Sequence, residues 1–348
     1  MNTYTTAQLL GVISNLIRPK ASLLDRYFPT MKFFDTEEVH VDVISGGRIV
    51  APLVSPLVEG QVVDPRGFRT NIIKPAYVKP KTPFNPGTFL SRAAGEQIGG
   101  TMSPQQRLDL NVAGQLEYLV DSVIRRKELM ASEALRLGKI TLEGEKYPTT
   151  IVDFGRDTDH TVTPGAGEDW TTMTDPVQSF RVYNTLALPA TGFGLNDAIM
   201  GIDAWTVFSG KDAVQKRYLQ INASGTNADL SAVAEEGLQY MGTFDRVNVF
   251  VYAGWYKHPT TGVLTEIFPA KALLMAAAPG AGGVGGVEGA QYHGAILDPR
   301  AGLQAMEYFP KMWDEEDPAI RWLMLQSAPL VAPGRPDATV YVADIVGS

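Results

Sequence analysis

The residue types able to do chemistry do not come together along this sequence. Gly280-Ala281-Gly282-Gly283-Val284-Gly285 matches G-x-G-x-x-G, a turn that seats a pyrophosphate on a helix N-terminus. Here the glycines continue to Gly286 and Gly289 with no helix pattern behind them. The stretch therefore reads as a loop, of a kind that suits a crowded symmetry axis. His40, His160, His258 and His293 lack ligand spacing, and there is no cysteine, so neither a metal site nor a thiol nucleophile is expected. Asp314-Glu315-Glu316-Asp317 could hold a cation but reads as a solvated acidic turn before Pro318. Glu235-Glu236 are adjacent on an expected helix and point apart. The sequon Asn222-Ala223-Ser224 has no meaning in a bacterial cytoplasm. No nucleophile, base and oxyanion hole assemble, so no catalytic, cofactor-binding or metal-binding residue is assigned.

Composition narrows the class further. The chain has 348 residues, 45% hydrophobic and 20% charged, which describes a globular protein of two or three domains. Its net charge of −8 argues against a protein that lives by gripping the phosphate backbone. The longest apolar run, Ala272–Ala278, is far short of the roughly 18 residues a membrane helix needs. Met1–Leu10 lacks the basic n-region of a secretory signal, so assembly and use in the cytoplasm are expected.

Several elements stand out. Thr5 and Gln8 form a capping box before Leu9, Leu10, Ile13, Leu16 and Ile17, an apolar helix face that Pro19 ends. That face docks either on its own domain or, as an arm, on a neighbouring subunit. Seven of the 23 prolines then fall between Pro52 and Pro86. Short β-rich pieces at Arg48–Val50, Gln61–Val63 and Ile72–Lys74, with a turn at Pro65-Arg66-Gly67, predict a long hairpin with irregular legs. Residues 61–92 carry a net charge of +5 from Arg66, Arg69, Lys74, Lys79, Lys81 and Arg92 against Asp64. An isolated hairpin is marginal in water, so this one either packs on its own domain or bridges to an acidic partner surface.

Ser103, Pro104 and Gln106 then start a helix that runs to Gly138. Leu108, Val112, Leu116, Leu119, Val123, Met130, Ala134 and Leu137 keep one stripe apolar over about 50 Å. Residues 140–200 read mainly as strands and turns. Ala198–Phe208, Asp212–Ile221 and Ser231–Tyr240 read as helices. Strands are expected at Val247–Ala253, Val263–Phe268, Tyr308–Phe309, Trp322–Gln326 and Thr339–Ala343.

Taken in order, these pieces resemble the lambda-type major capsid protein of tailed bacteriophages (Caudovirales). The stretches that carry the likeness are Tyr4-Thr5-Thr6-Ala7-Gln8-Leu9-Leu10, Val54-Ser55-Pro56-Leu57-Val58 with Gly60, and Pro75-Ala76-Tyr77-Val78-Lys79-Pro80-Lys81 with Asn85-Pro86. Pro310-Lys311 with Trp313, and Gln326-Ser327-Ala328-Pro329-Leu330, complete them. The middle, residues 140–300, carries little of the motif.

The resemblance implies an α+β capsid fold: an N-terminal arm at 1–35 and an extended β-hairpin loop at 36–95. It implies a peripheral domain at 96–190 and 305–348 around a spine helix at 103–137, and an axial α/β domain at 191–304. It further implies a virion head protein, assembled in the host bacterial cytoplasm as hexamers and pentamers of an icosahedral shell around double-stranded DNA, without sequence-specific contact. A separate scaffolding protein, a portal and decoration proteins at three-fold positions would be partners; no cofactor and no membrane are implied. The expected intersubunit residues are Arg66, Arg69, Ile72, Lys74, Tyr77, Lys79 and Lys81 in the loop, and Leu9, Leu10, Ile13, Leu16 and Ile17 in the arm. The rival readings are a cytoplasmic α/β enzyme with its site at the glycine loop, and another phage structural subunit.

Overall fold

The computed structural model describes residues 4–16, 18–36, 38–44, 50–56, 59–60, 62, 68–84, 103–144, 147–165, 167–223, 236–278, 280, 285–317 and 320–347. The first helix, α1 (Thr6–Ile13), has the expected capping box. A second, α2 (Ser22–Tyr27), leads into β1 (Thr30–Phe33). The long helix α3 (Pro104–Leu137) begins on a Ser103–Gln106 capping box and ends at Gly138, whose φ of 64° is left-handed. All of the expected stripe is buried except Leu137, which lies at the helix end.

Most of the core gathers around a six-stranded sheet of order β7-β18-β13-β8-β10-β9. Its strands are β7 (Thr161–Val162), β8 (Asp197–Met200), β9 (Gly237–Phe244), β10 (Val247–Ala253), β13 (Leu273–Ala276) and β18 (Thr339–Val342). β8 and β10 run parallel with Val249 opposite Ala198, and β13 pairs antiparallel with β18 with Met275 opposite Val340. β8, β13 and β18 are buried along their whole lengths. β13 accordingly lies inside the longest apolar run of the sequence, Ala272–Ala278. Helix α3 and helix α4 (Val177–Thr191) both pack on β13 and β18, and α5 (Ile202–Ser209) packs on β10. This sheet takes β18 from the C-terminal segment and β8, β10 and β13 from the middle of the chain.

Three departures from the sequence reading have physical causes. Residues 177–191 form a helix where strands and turns were expected; Val177, Phe180, Tyr183 and Ala187 are its buried face. Pro189 reads as a breaker, but it falls in the last turn of this helix. Gly237–Tyr240 is part of β9, not the end of a helix. The hairpin that pairs it with β10 turns on Asp245 and Arg246, both at positive φ, 49° and 67°. Without glycine at either position the turn gave no local signal. Ala198–Met200 belongs to β8, and the helix expected from 198 starts at Ile202 instead. By contrast α6 (Asp212–Ala223), β10 and the tail strands Ile320–Gln326 and Thr339–Val342 fall close to where expected, whereas the strand expected at Tyr308–Phe309 runs Phe309–Glu315 and the one at Pro329–Ala332 was not expected.

Smaller sheets complete the chain. β1 pairs parallel with β14 (Ala290–His293), which pairs antiparallel with β17 (Pro329–Ala332). β15 (Phe309–Glu315), β16 (Ile320–Gln326) and β4 (Lys81–Phe84) form a second three-stranded sheet. β5 (Lys139–Gly144) pairs with β6 (Tyr147–Asp153), and β11 (Trp255–Lys257) with β12 (Leu264–Glu266). Among the described residues no helix is long and apolar enough to cross a membrane.

Candidate intersubunit surfaces

The extended region contains an antiparallel hairpin, β2 (Val39–Ile44) with β3 (Phe68–Ile73). Its foot pairs Val39 with Ile73, and both are buried in the core. One residue outward, Ile72 is already 61% exposed, and Leu53 is fully exposed. The hairpin is therefore anchored at its foot and carries apolar side chains beyond it that its own chain does not cover.

The seven expected loop residues divide. Arg66, and the turn around it, lies outside the described residues. Arg69 lies in β3 opposite Val43, and Lys74 is exposed just beyond the strand. Tyr77, Lys79 and Lys81 lie on the returning leg. The Tyr77 hydroxyl accepts from the Leu297 N–H and donates to the Ala295 carbonyl oxygen at 3.2 Å. Lys79 Nζ sits 4.6 Å from the Tyr77 ring centre, and Lys81 Nζ sits 4.4 Å from that of Trp322. The Tyr77 hydrogen bonds and the Lys81–Trp322 contact fasten the leg to its own chain, while Lys79 packs within the leg.

The arm residues divide as well. Leu9 is completely buried, as α1 packs on α3 and β15 of the same chain. That corrects the expectation for Leu9, which serves the chain's own core. Leu10, Ile13 and Leu16 stay partly exposed, and Ile17 lies outside the described residues.

The polar groups that position the N-terminal segment were not anticipated. Ala21, at the N-cap of α2, has no side chain to satisfy the first turn. Glu128 of α3 does so instead, accepting the N–H groups of Leu23 and Leu24 at 2.9 Å each and the Tyr252 hydroxyl at 3.0 Å. Burial pushes its carboxyl pKa up, and the two backbone N–H groups act against that. At the other end of α2, the buried carboxylate of Asp197 accepts from Arg26 Nε at 2.7 Å and from the Tyr27 hydroxyl at 2.7 Å. Lys127 is fully buried beside Glu307, 2.7 Å away. Burial lowers the Lys127 pKa, with Glu307 opposing. One signal was available in the sequence: Lys127 continues the arc of Val123, Met130 and Ala134, so a charge stands at a core position.

The chemistry set aside in the sequence finds no centre. From Gly285 the glycine loop turns into β14, a strand and not a helix. Half of the expected acidic turn is strand: Asp314 and Glu315 end β15, where Asp314 takes two bonds from Arg321 at 2.6 and 2.9 Å and Glu315 accepts from Trp322 Nε1 at 2.7 Å. Among the described residues no group of three or more potential ligands could hold a metal.

This α+β architecture is the fold of tailed-phage capsid proteins. It matches the crystal structure of the putative capsid protein of an Escherichia coli CFT073 prophage with a TM-score of 0.74 and 21% identity, over 99% of this chain and 100% of that one. The sequence matches the family model described as Phage major capsid protein E over residues 5–343. It is 31% identical over 353 aligned positions to the P21 prophage-derived major head protein of Escherichia coli strain CFT073, spanning 98% of this chain and 99% of that protein. It is 29% identical to the major capsid protein of Escherichia phage lambda over the same shares of the two chains. The chain belongs to the Phage major capsid protein E family. It is a structural protein of that family and not an enzyme.

Proposed function

We propose that the chain self-assembles as hexamers and pentamers into the icosahedral head that encloses phage double-stranded DNA. The observation that carries this reading is the β2–β3 hairpin, rooted in the core at Val39 and Ile73 but apolar and exposed beyond it. A monomer gains nothing from such an element. In a shell, each exposed side chain is covered by a neighbour, at roughly 25 cal/mol per Å² of apolar surface. Single exposed ion pairs add only about 0–1 kcal/mol, so the basic residues bias register more than strength. Closed point symmetry repeats every such contact around the shell.

In this reading 1–35 is the arm, 36–95 the extended loop, 96–190 with 305–348 the peripheral domain and 191–304 the axial domain. Arg66, Arg69, Ile72 and Lys74 are the loop contacts; Leu10, Ile13, Leu16 and Ile17 are those of the arm. A separate scaffolding protein, a portal and decoration proteins at the three-fold positions complete the head, which is assembled in the host cytoplasm. The net charge of −8 suits a container that does not glue its genome in place. Retention of the isolated chain on duplex DNA at about 150 mM salt would contradict that part of the reading.

The experiment is expression of the chain alone and with its neighbouring phage genes, followed by light scattering and electron microscopy. Capsomers or closed shells are expected.

A further inference from the structure

Both legs of the extended hairpin are held by one short turn. Val39 and Ile73 pair at the hairpin's foot. Four positions before Val39, the Asp35 carboxylate accepts the Ala305 N–H at 2.9 Å. Four positions after Ile73, the Tyr77 hydroxyl accepts the Leu297 N–H and donates to the Ala295 carbonyl oxygen. Ala295 and Ala305 pair across an antiparallel bridge, and the Ile296 N–H donates to the Gln304 carbonyl oxygen at 3.1 Å. The legs therefore grip opposite sides of one turn, residues 295–305.

This turn is a unit with a small core of its own. Ile296 and Ala301 are buried with Phe309, and Met306 packs against them, apart from the main core. Leu303 sits at a φ of 57°, a left-handed conformation that a leucine keeps only where its surroundings fix it. Beneath, the buried carboxylate of Asp298 bolts the turn to the C-terminal sheet. It accepts from Lys311 Nζ of β15 at 2.8 Å and from Gln326 Nε2 of β16 at 3.1 Å. The turn is thus fixed to the body on one side and to both legs on the other.

The buried pair at the foot fixes where the hairpin is rooted and leaves its tilt free. One attachment on each leg removes that freedom, because a tilt must lengthen one of the two. We propose that the turn 295–305 sets the angle at which the extended hairpin leaves the body, with Asp35 and Tyr77 as the positioning residues. Beside them Phe34 and Val78 are bonded backbone to backbone to His293 and Ser327, so loss of the two side-chain bonds frees the angle without releasing the legs. The consequence for assembly rests on the capsid reading above: a hairpin of variable angle places its neighbour variably, and the curvature of the shell then varies too.

The chain has no cysteine, so a pair can be introduced for spin labels. Thr70→Cys places one in β3, and Lys216→Cys places the other at an exposed position of α6. Pulsed electron paramagnetic resonance on the unassembled full chain reads the distance between them. The parent should give one narrow distribution. Asp35→Asn keeps an acceptor oxygen for the Ala305 N–H and should give the same. Asp35→Ala with Tyr77→Phe should give a distribution shifted or about twofold wider, with the melting transition retained. Unchanged distances in that double variant overturn the proposal. Should the double variant fail to fold, Tyr77→Phe alone, which loses only a hydroxyl, decides by the same distances.

Co-expression with the neighbouring phage genes gives the second readout. Particles of the double variant should vary in diameter where those of the parent are uniform; uniform particles of parental diameter overturn the proposal and leave the capsid reading standing. If the parent forms no shells or capsomers, the capsid reading falls, and the spin-label distances still decide what sets the angle.

Discussion

The carboxylate of Glu128, on the long helix, accepts the backbone N–H of Leu23 at 2.9 Å and so caps a helix that has no cap of its own. One residue thus ties the N-terminal segment to the element on which the chain is built. Glu128→Ala would leave three buried donors unpaired: the N–H groups of Leu23 and Leu24 and the Tyr252 hydroxyl. At about 1–3 kcal/mol for each orphaned group, a loss of about 3 kcal/mol or more is expected. Denaturant melts of the unassembled chain check it. Glu128→Gln keeps one acceptor oxygen and should fall between the two.

The far end of α2 gives an independent test. Asp197 joins Arg26 and Tyr27 in one buried cluster, and Arg26 also lies 4.5 Å from the Phe250 ring centre. Asp197→Ala should destabilise by about 3 kcal/mol, because it strands the partners of a buried charge. In a double-mutant cycle with Arg26→Met, the two sites should couple by about 0.5–3 kcal/mol. Additive effects would mean that the Asp197–Arg26 pair contributes nothing to holding α2.

Acid should weaken the chain through His293. Its ring is fully buried, neither nitrogen has a hydrogen-bond partner among the described residues, and it stacks on Phe33 at 5.4 Å. Burial first, and then the charge of Lys127, lower its pKa from 6.5 to about 4, with Glu307 opposing. Between those two values the unfolded chain takes up a proton that the folded chain refuses. Stability therefore falls as pH falls through that window, by up to about 1.4 kcal/mol per pH unit, and this contribution is gone below the folded value. Melts of the chain and of His293→Leu from pH 7 to pH 4 should show a shallower slope in the variant; equal slopes would remove His293 as the cause.

Gly114 lies open in a helix interior, and Gly114→Ala should stabilise the unassembled chain by about 1 kcal/mol, read in denaturant melts; an unchanged or lower stability would contradict this.

How much of this was legible in the sequence depended on whether the signal was local. Thr5 with Gln8, and Ser103 with Gln106, set both helix starts to the residue, because a capping box is a four-residue event. Prolines and charge pointed to a hairpin but not to its legs: these were expected at Arg48–Val50, Gln61–Val63 and Ile72–Lys74, whereas the structure pairs Val39–Ile44 with Phe68–Ile73. The helix at 177–191 was hidden by Pro189, and the β9–β10 hairpin by a turn that forces Asp245 and Arg246 to positive φ. Glu128 and Asp197 could not be found by spacing, and the spacing that sets Lys127 on the buried arc does not name its partner. Their partners, Leu23, Tyr27 and Glu307, lie between about 100 and 180 residues away in sequence, and such contacts exist only once the fold has formed.

Charge on the extended loop should govern assembly without governing folding. Arg66→Glu with Arg69→Glu should leave the stability of the unassembled chain within about 0.5 kcal/mol of the parent. The same pair should abolish shells. Normal shells from this variant would take the loop's charge out of the account.

The central claim is that this chain closes into a shell, and particle mass tests it most directly. Light scattering and imaging of the chain co-expressed with its neighbouring phage genes should give capsomers or closed shells of uniform size. A stable monomer or small dimer under the same conditions would contradict the account.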